Sequence, residues 1–307
     1  MDGQLIPHAD AVLHVTTDAV LRGGSVFEGV RAYRGTAGEL LVFRLPDHLD
    51  RLFSTSMRFL HLQLPYRPEA LTEAICELLS ANHIEDDAYI RVVVYIDEST
   101  HNGDPGVPAG AFILATEGFN PALPSMRVTL SPWRRMSDLA MPPRVKSGAN
   151  YLNSRIATVD AERKGFDTAV LLNERGKVSE GPAMNIFLVR RGVLVTPRLT
   201  DGILEGITRS TIIHLAREVG IPVEEREVDA TELYVAEEMF LTGTAYEIAP
   251  VHEIDGYEIG EMGGGLITKR LREAYFDMVR GSRPAPEGWA TLVSSVAAPV
   301  AQPVSTS

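Results

Sequence analysis

Apolar residues recur along this chain at two spacings, and the spacing changes from segment to segment. GELLVFRL (38–45) is a short apolar run stopped by Pro46 and reads as a strand. In HLDRLFSTSMRFL (48–60), Leu49, Leu52, Phe53 and Met57 recur at helical intervals. PEALTEAICELLSANHI (68–84) is a second amphipathic helix, with Leu71, Ile75, Leu78 and Leu79 along one side. DAYIRVVVYID (87–97) alternates, placing Tyr89 and Arg91 on one face and Ile90 and Val92 on the other. Further on, DTAVLLNERGKVSEGPAMNIFLVRRGVLVTP (167–197) reads as three or four strands separated by NERGK and RRG turns. A helix follows, capped by Thr208, with Ile212, Ile213, Leu215 and Val219 as its apolar face and Gly220 at its end. KRLREAYFDMVRG (269–281) makes the last helix. No internal repeat is present. The order of elements predicts two α+β halves, not a doubly wound sheet.

Turn-forming residues concentrate near 119–125, which is the expected linker between a small domain over 1–118 and a larger one over 126–282. After residue 282 periodicity disappears, so 283–307 is expected to be a flexible tail. The composition, 45% hydrophobic and 23% charged over 307 residues, is that of a globular chain. A net charge of −12 argues against nucleic acid as a partner. Cys76 stands alone, which excludes an intramolecular disulfide and a cysteine zinc cage. No signal peptide or membrane-spanning run is legible, and a cytoplasmic protein is the expectation.

Three stretches carry candidate chemistry. In RVKSGANYLNSR (144–155), Lys146 stands beside the small residues Ser147, Gly148 and Ala149, with Tyr151 five positions on. Most lysines are solvated surface residues. Here the small neighbours leave room for a planar ligand, and a desolvated lysine is the residue type that forms Schiff bases. In VSEGPAMNIF (178–187), Glu180 is either a turn glutamate or a carboxylate aimed at a pyridinium nitrogen, with Gly181 and Pro182 stiffening the turn. In LEGITRSTII (204–213), Gly206, Ile207 and Thr208 stand at a helix start, where free amides favour a phosphate. LTGTAYEIAP (241–250) offers a second such turn at Thr244.

Together with SVFEGVRAY, FRLPDHLDRL and YIR, these segments occur in the order seen in class IV pyridoxal-phosphate aminotransferases, and the chain resembles their branched-chain branch from about residue 8 to 280. The resemblance implies the two-domain fold type IV architecture, with a small N-terminal α/β domain and a larger C-terminal α+β domain. It implies that Lys146 holds pyridoxal 5'-phosphate through a Schiff base, that Glu180 faces the ring nitrogen and that Tyr151 faces the phenolic oxygen. Arg51, Ile207, Thr208 and Thr244 would bind the phosphate. Tyr89, Arg91 and Ala245 would lie near the substrate carboxylate, and Phe27 would line the side-chain pocket. Arg51 is expected on the helix face opposite Leu49 and Leu52, outside the core. The implied reaction moves an amino group from a branched-chain or other hydrophobic L-amino acid to 2-oxoglutarate. The family also implies a homodimer or higher homo-oligomer in which DESTHNGDPG (97–106) would reach a neighbouring subunit.

Several positions depart from the branched-chain pattern. Arg22 replaces the usual Tyr, Tyr246 a small residue and Met184 a frequent Glu, and the interdomain loop EGFNPALPS lacks an evident counterpart of the aromatic residues that loop often contributes. An arginine in the pocket would favour a carboxylate-bearing substrate. That leaves a lyase of the aminodeoxychorismate type, or a D-amino acid or (R)-amine aminotransferase, as alternatives on the same scaffold. No Arg-x-His carboxylate trap follows YIR, which counts against the D-amino acid version.

Overall fold

The computed structural model describes residues 1–97, 107–118 and 125–293. Its first half carries α1 (Asp18–Arg22), β1 (Ser25–Arg34), β2 (Leu40–Phe43), α2 (Leu45–Asp50), β3 (Leu62–Gln63), α3 (Pro68–Ala81), β4 (Ala88–Ile96) and β5 (Val107–Glu117). The second half carries β6 (Met126–Arg134), α4 (Asn150–Arg163), β7 (Thr168–Leu172), β8 (Asn185–Arg190), β9 (Val193–Thr196), α5 (Ile207–Glu218), β10 (Val223–Glu225), β11 (Glu238–Gly243), β12 (Glu247–Ile254), β13 (Tyr257–Glu258), α6 (Leu266–Val279) and β14 (Ala290–Leu292). Two sheets result. One runs β14-β2-β1-β4-β5-β3, and the other β10-β9-β8-β11-β12-β6-β7 with β13 paired to β12.

β1 lies at the centre of the first sheet and is buried on both faces. Val26, Val30 and Ala32 enter the core of the first half with Leu71, Ile75 and Leu79 of α3, while Phe27 and Gly29, on the opposite face, line a cavity against the second half. The alternation in β4 is the expected one: Ala88, Ile90 and Val92 are buried, Tyr89 and Arg91 half-buried. Pro68 opens α3 after an extended Arg67, because a residue before proline is pushed out of the helical region.

The helical run after residue 45 is less regular than its spacing predicts. α2 continues without a break into a π-helix over Arg51–Met57. Such wide turns are rare and concentrate at functional sites. Two further expectations are corrected. Thr208 is not the cap of α5: Gly206 holds that position without a side-chain bond, and Thr208 lies inside the first turn. The segment from residue 283 is not uniformly free of structure. Trp289 packs against Phe43, and β14 pairs antiparallel with β2, returning the chain to the first sheet. The expected linker, apart from Ser125, and the DESTHNGDPG segment beyond Asp97 lie outside the described residues.

Candidate active site

A cavity of about 390 Å³ opens between the two sheets. Lys146 reaches it from a segment that docks on β1. The Phe27 amide donates to the Lys146 carbonyl (3.0 Å) and the Gly148 amide to the Ser25 carbonyl (3.0 Å). The Lys146 amide donates to Ser56 Oγ of the π-helix (3.1 Å). Both backbone polar groups of Lys146 are therefore tied to the first half, so its side chain leaves in a fixed direction. Nζ donates to the Tyr151 hydroxyl at 3.2 Å and lies 5.3 Å from the centre of the Phe27 ring.

The chain contains four lysines, at 146, 164, 177 and 269. Lys164, Lys177 and Lys269 pair with Asp160, Asp229 and Glu261. Lys146 makes no such ion pair among the described residues; its neighbours are a phenol and an aromatic face.

Glu180 lines the same cavity and is buried. Its Oε1 accepts from Arg135 Nε (2.9 Å), and Oε2 accepts from Asn185 Nδ2 (2.9 Å) and the Leu204 amide (3.1 Å). Burial pushes its carboxyl above the usual range, and Arg135 and the Leu204 amide oppose that rise.

Across the cavity, Ile207 and Thr208 open the twelve-residue α5, where the first amides have no partner within the helix. A Cβ on Gly206 would stand 1.8 Å from Asn185 Oδ1, so only glycine allows this approach. Gly29 is constrained similarly, since a Cβ there would meet the Tyr89 hydroxyl at 2.1 Å. Thr244, Ala245 and Tyr246 form the turn between β11 and β12, closed by Glu247 at φ 56°.

Arg51 also reaches the cavity, but it is buried, not on an outer helix face as expected. Its guanidinium grips Glu28 with two donors, Nε to Oε1 (2.8 Å) and Nη2 to Oε2 (2.7 Å). Nη1 donates to the Glu205 carbonyl at 2.6 Å. Of five N–H groups three are used, leaving two for an anion. His48 Nδ1 lies 2.8 Å from Glu28 Oε2 and must be the donor there, because a carboxylate only accepts. Burial lowers the His48 ring below its usual value against the pull of Glu28, so it is neutral. Burial alone would raise Glu28, yet Arg51 and His48 hold it well below the carboxylate range.

Of the residues named from the sequence, Phe27, Arg51, Tyr89, Arg91, Lys146, Tyr151, Glu180, Met184, Gly206, Ile207, Thr208, Thr244, Ala245 and Tyr246 line this one cavity. Arg91 lies over the Phe27 ring (4.7 Å) and donates to the Tyr89 hydroxyl (3.2 Å). Arg22 lies on α1, more than half exposed and bound to Asp18 at 2.7 Å, and is not among the residues lining the cavity. Its charge is spent on an i,i+4 pair. Arg135, Asn185 and the Glu28–His48 pair were not read from the sequence. Asn185 stands in the quoted NIF segment, but nothing in SPWRRM singles out Arg135.

A buried carboxylate, an amine, free helix-start amides and an arginine thus surround a cavity large enough for a phosphorylated ring. The sequence model of the amino-transferase class IV family matches residues 25–254, and the chain belongs to that family. It is 38% identical over 297 residues to a probable branched-chain-amino-acid aminotransferase of Aquifex aeolicus, covering 95% of each chain. It superposes with a TM-score of 0.89 on the branched-chain aminotransferase of Thermoproteus uzoniensis crystallised with norvaline, at 41% identity, covering 95% of this chain and 98% of that one. The holo, PLP-form enzyme of Thermobaculum terrenum gives a TM-score of 0.89 at 39% identity, covering 95% and 97%.

Proposed function

We propose that this chain is a pyridoxal-phosphate-dependent aminotransferase that moves the amino group of branched-chain L-amino acids to 2-oxoglutarate. The observation that carries it is Lys146: the lysine without a carboxylate partner among the described residues, anchored at both backbone groups and held by Tyr151 in a cavity that Glu180 also lines. The donor set fits the cofactor. Arg51 and the amides of Ile207, Thr208 and Thr244 would hold its phosphate, Glu180 its ring nitrogen and Tyr151 its phenolic oxygen. When bound, pyridoxal phosphate supplies a carbonyl carbon for an amine and a ring that takes up the electrons freed when a substrate Cα–H bond breaks.

The residues supply the rest. Lys146 would hold the cofactor, and its Nζ would take the substrate Cα proton and later return a proton. Tyr151 keeps Nζ near that path. Arg91, Tyr89 and the Ala245 amide receive substrate carboxylates. Phe27, Met184 and Tyr246 give the cavity an apolar wall for a branched side chain. Within one chain Arg22 lies outside this wall.

The purified protein mixed with leucine and 2-oxoglutarate forms glutamate and carries a visible absorption band that Lys146→Ala abolishes. Pyruvate release from aminodeoxychorismate without glutamate formation would overturn the assignment. A homodimer is also proposed, from the exposed apolar face of α4. No helix among the described residues is long and apolar enough to cross a membrane.

A further inference from the structure

Arg135 follows β6 directly and has no part in the roles set out above. Its amide donates to the Leu172 carbonyl (2.9 Å), which anchors its backbone to β7. Its side chain is buried, as are Glu180 and Asn185, so water does not screen their interactions. A carboxylate has about four lone-pair sites. Arg135, Asn185 and the Leu204 amide occupy three of those on Glu180, and the open one is on Oε1, the oxygen to which Arg135 donates. A ring N–H held by Glu180 would therefore share Oε1 with Arg135.

We propose that Arg135 is a positioning residue for the transamination, holding Glu180 in its charged form so that the proton of a ring nitrogen bound opposite it stays on the ring. The inference rests on the reading that Glu180 faces that nitrogen. Burial makes Glu180 a stronger base, and a strong base would draw the proton from nitrogen to carboxylate, leaving a neutral ring and a weaker electron sink. Arg135 opposes this by stabilising the charged carboxylate. Each pKa unit by which Glu180 becomes more basic moves the proton-sharing equilibrium about tenfold toward the carboxyl. Only a proton changes place, and no oxidant or reductant is needed.

The test is ¹⁵N NMR of the holoenzyme loaded with cofactor labelled at the pyridine nitrogen, for wild type, Arg135→Gln, Arg135→Lys and Glu180→Gln. Arg135→Gln keeps an N–H donor but loses the charge, and its signal is expected to move toward that of an unprotonated pyridine, with at least a tenfold loss of kcat. Arg135→Lys restores the charge and is expected to return the signal most of the way to wild type. A wild-type signal in folded, loaded Arg135→Gln, with a shifted one in Glu180→Gln, overturns the proposal and leaves the Glu180 reading standing. Wild-type signals in both overturn that reading and the inference with it. Should Arg135→Gln not fold, Arg135→Lys decides alone. Lysine lacks the Nε–H that Arg135 donates to Oε1, so a small shift toward the unprotonated position supports the role, and an unchanged signal overturns it.

Discussion

Glu28 sits on the side of β1 that carries Val26, Val30 and Ala32 into the core, where an isolated carboxylate would take up a proton. It remains charged because Arg51 and His48 donate to it. Its folded pKa lies below its unfolded one, so the stability it contributes is present above the ordinary carboxylate value, about 4.3, and is lost as pH falls toward the depressed one. His48 acts in the same direction at higher pH. Its ring is neutral in the fold and must charge as pH drops below its ordinary value, about 6.5. Urea midpoints should therefore decline twice on acidification, first from about pH 6.5 and again from about pH 4.3. Glu28→Gln is expected to be less stable at neutral pH by about 3–5 kcal/mol, as when one partner of a buried ion pair is removed, and to lack the lower step. A variant that retains the lower step would show that Glu28 is not its source. Lys146 and Glu180 were legible in the sequence because small residues and turn chemistry flank them, and Arg51 only through the family resemblance. Glu28 and Arg135 were not, since their partners lie 23 and 45 positions away and only the fold joins them.

At the scale of elements, apolar periodicity found α3, α5 and α6 because each buries a bulky stripe. It gave no sign of α4, whose buried positions are Asn150, Ser154, Ala157 and Ala161 while Leu152 and Ile156 are exposed. β14 escaped for another reason: three residues in a Pro- and Gly-rich context leave no period to read. That short strand fastens more than its length suggests. Trp289 lies under the Arg44 guanidinium (4.1 Å) and beside His214 of α5 (5.0 Å). Arg44 in turn donates to the Ile207 carbonyl, Ser210 and Thr211 of α5. The C-terminal segment thereby clamps α2 against the start of the helix that offers its amides to the cavity. Trp289→Ala is expected to cost about 2 kcal/mol, less than a full core truncation because the indole is only half-buried. It should also speed cofactor loss on dialysis, because Arg44 loses the face it rests on. Denaturant midpoints and retained visible absorbance read the two effects. A destabilised variant with unaltered cofactor retention would separate the clamp from the site.

At the scale of the whole chain, the proposed homodimer draws on the inverted burial of α4. A helix that buries alanine and serine and exposes Leu152 (64%) and Ile156 (40%) places its apolar area where only another surface can cover it. The area extends beyond α4. Trp133, half exposed, adjoins Arg134, whose carbonyl accepts from Asn153 of α4. Leu21 on α1 is exposed too, close to Gly23, where an added Cβ would lie 3.6 Å from that of Ala149. Leu152 directly follows Tyr151, which stands in the first turn of α4 and lines the cavity, so a second copy seated on this face would lie near the edge of the site. Leu152→Glu puts a charge in the middle of this face while disturbing little within one chain, since exposed substitutions usually change stability by only about 0.5 kcal/mol. Sedimentation equilibrium at micromolar concentration is expected to give a dimeric mass for the wild type and a monomeric one for Leu152→Glu, with reduced glutamate formation in the variant. A wild type that sediments as a monomer would leave the exposed face of α4 unaccounted for, and a dimeric Leu152→Glu would place the interface elsewhere.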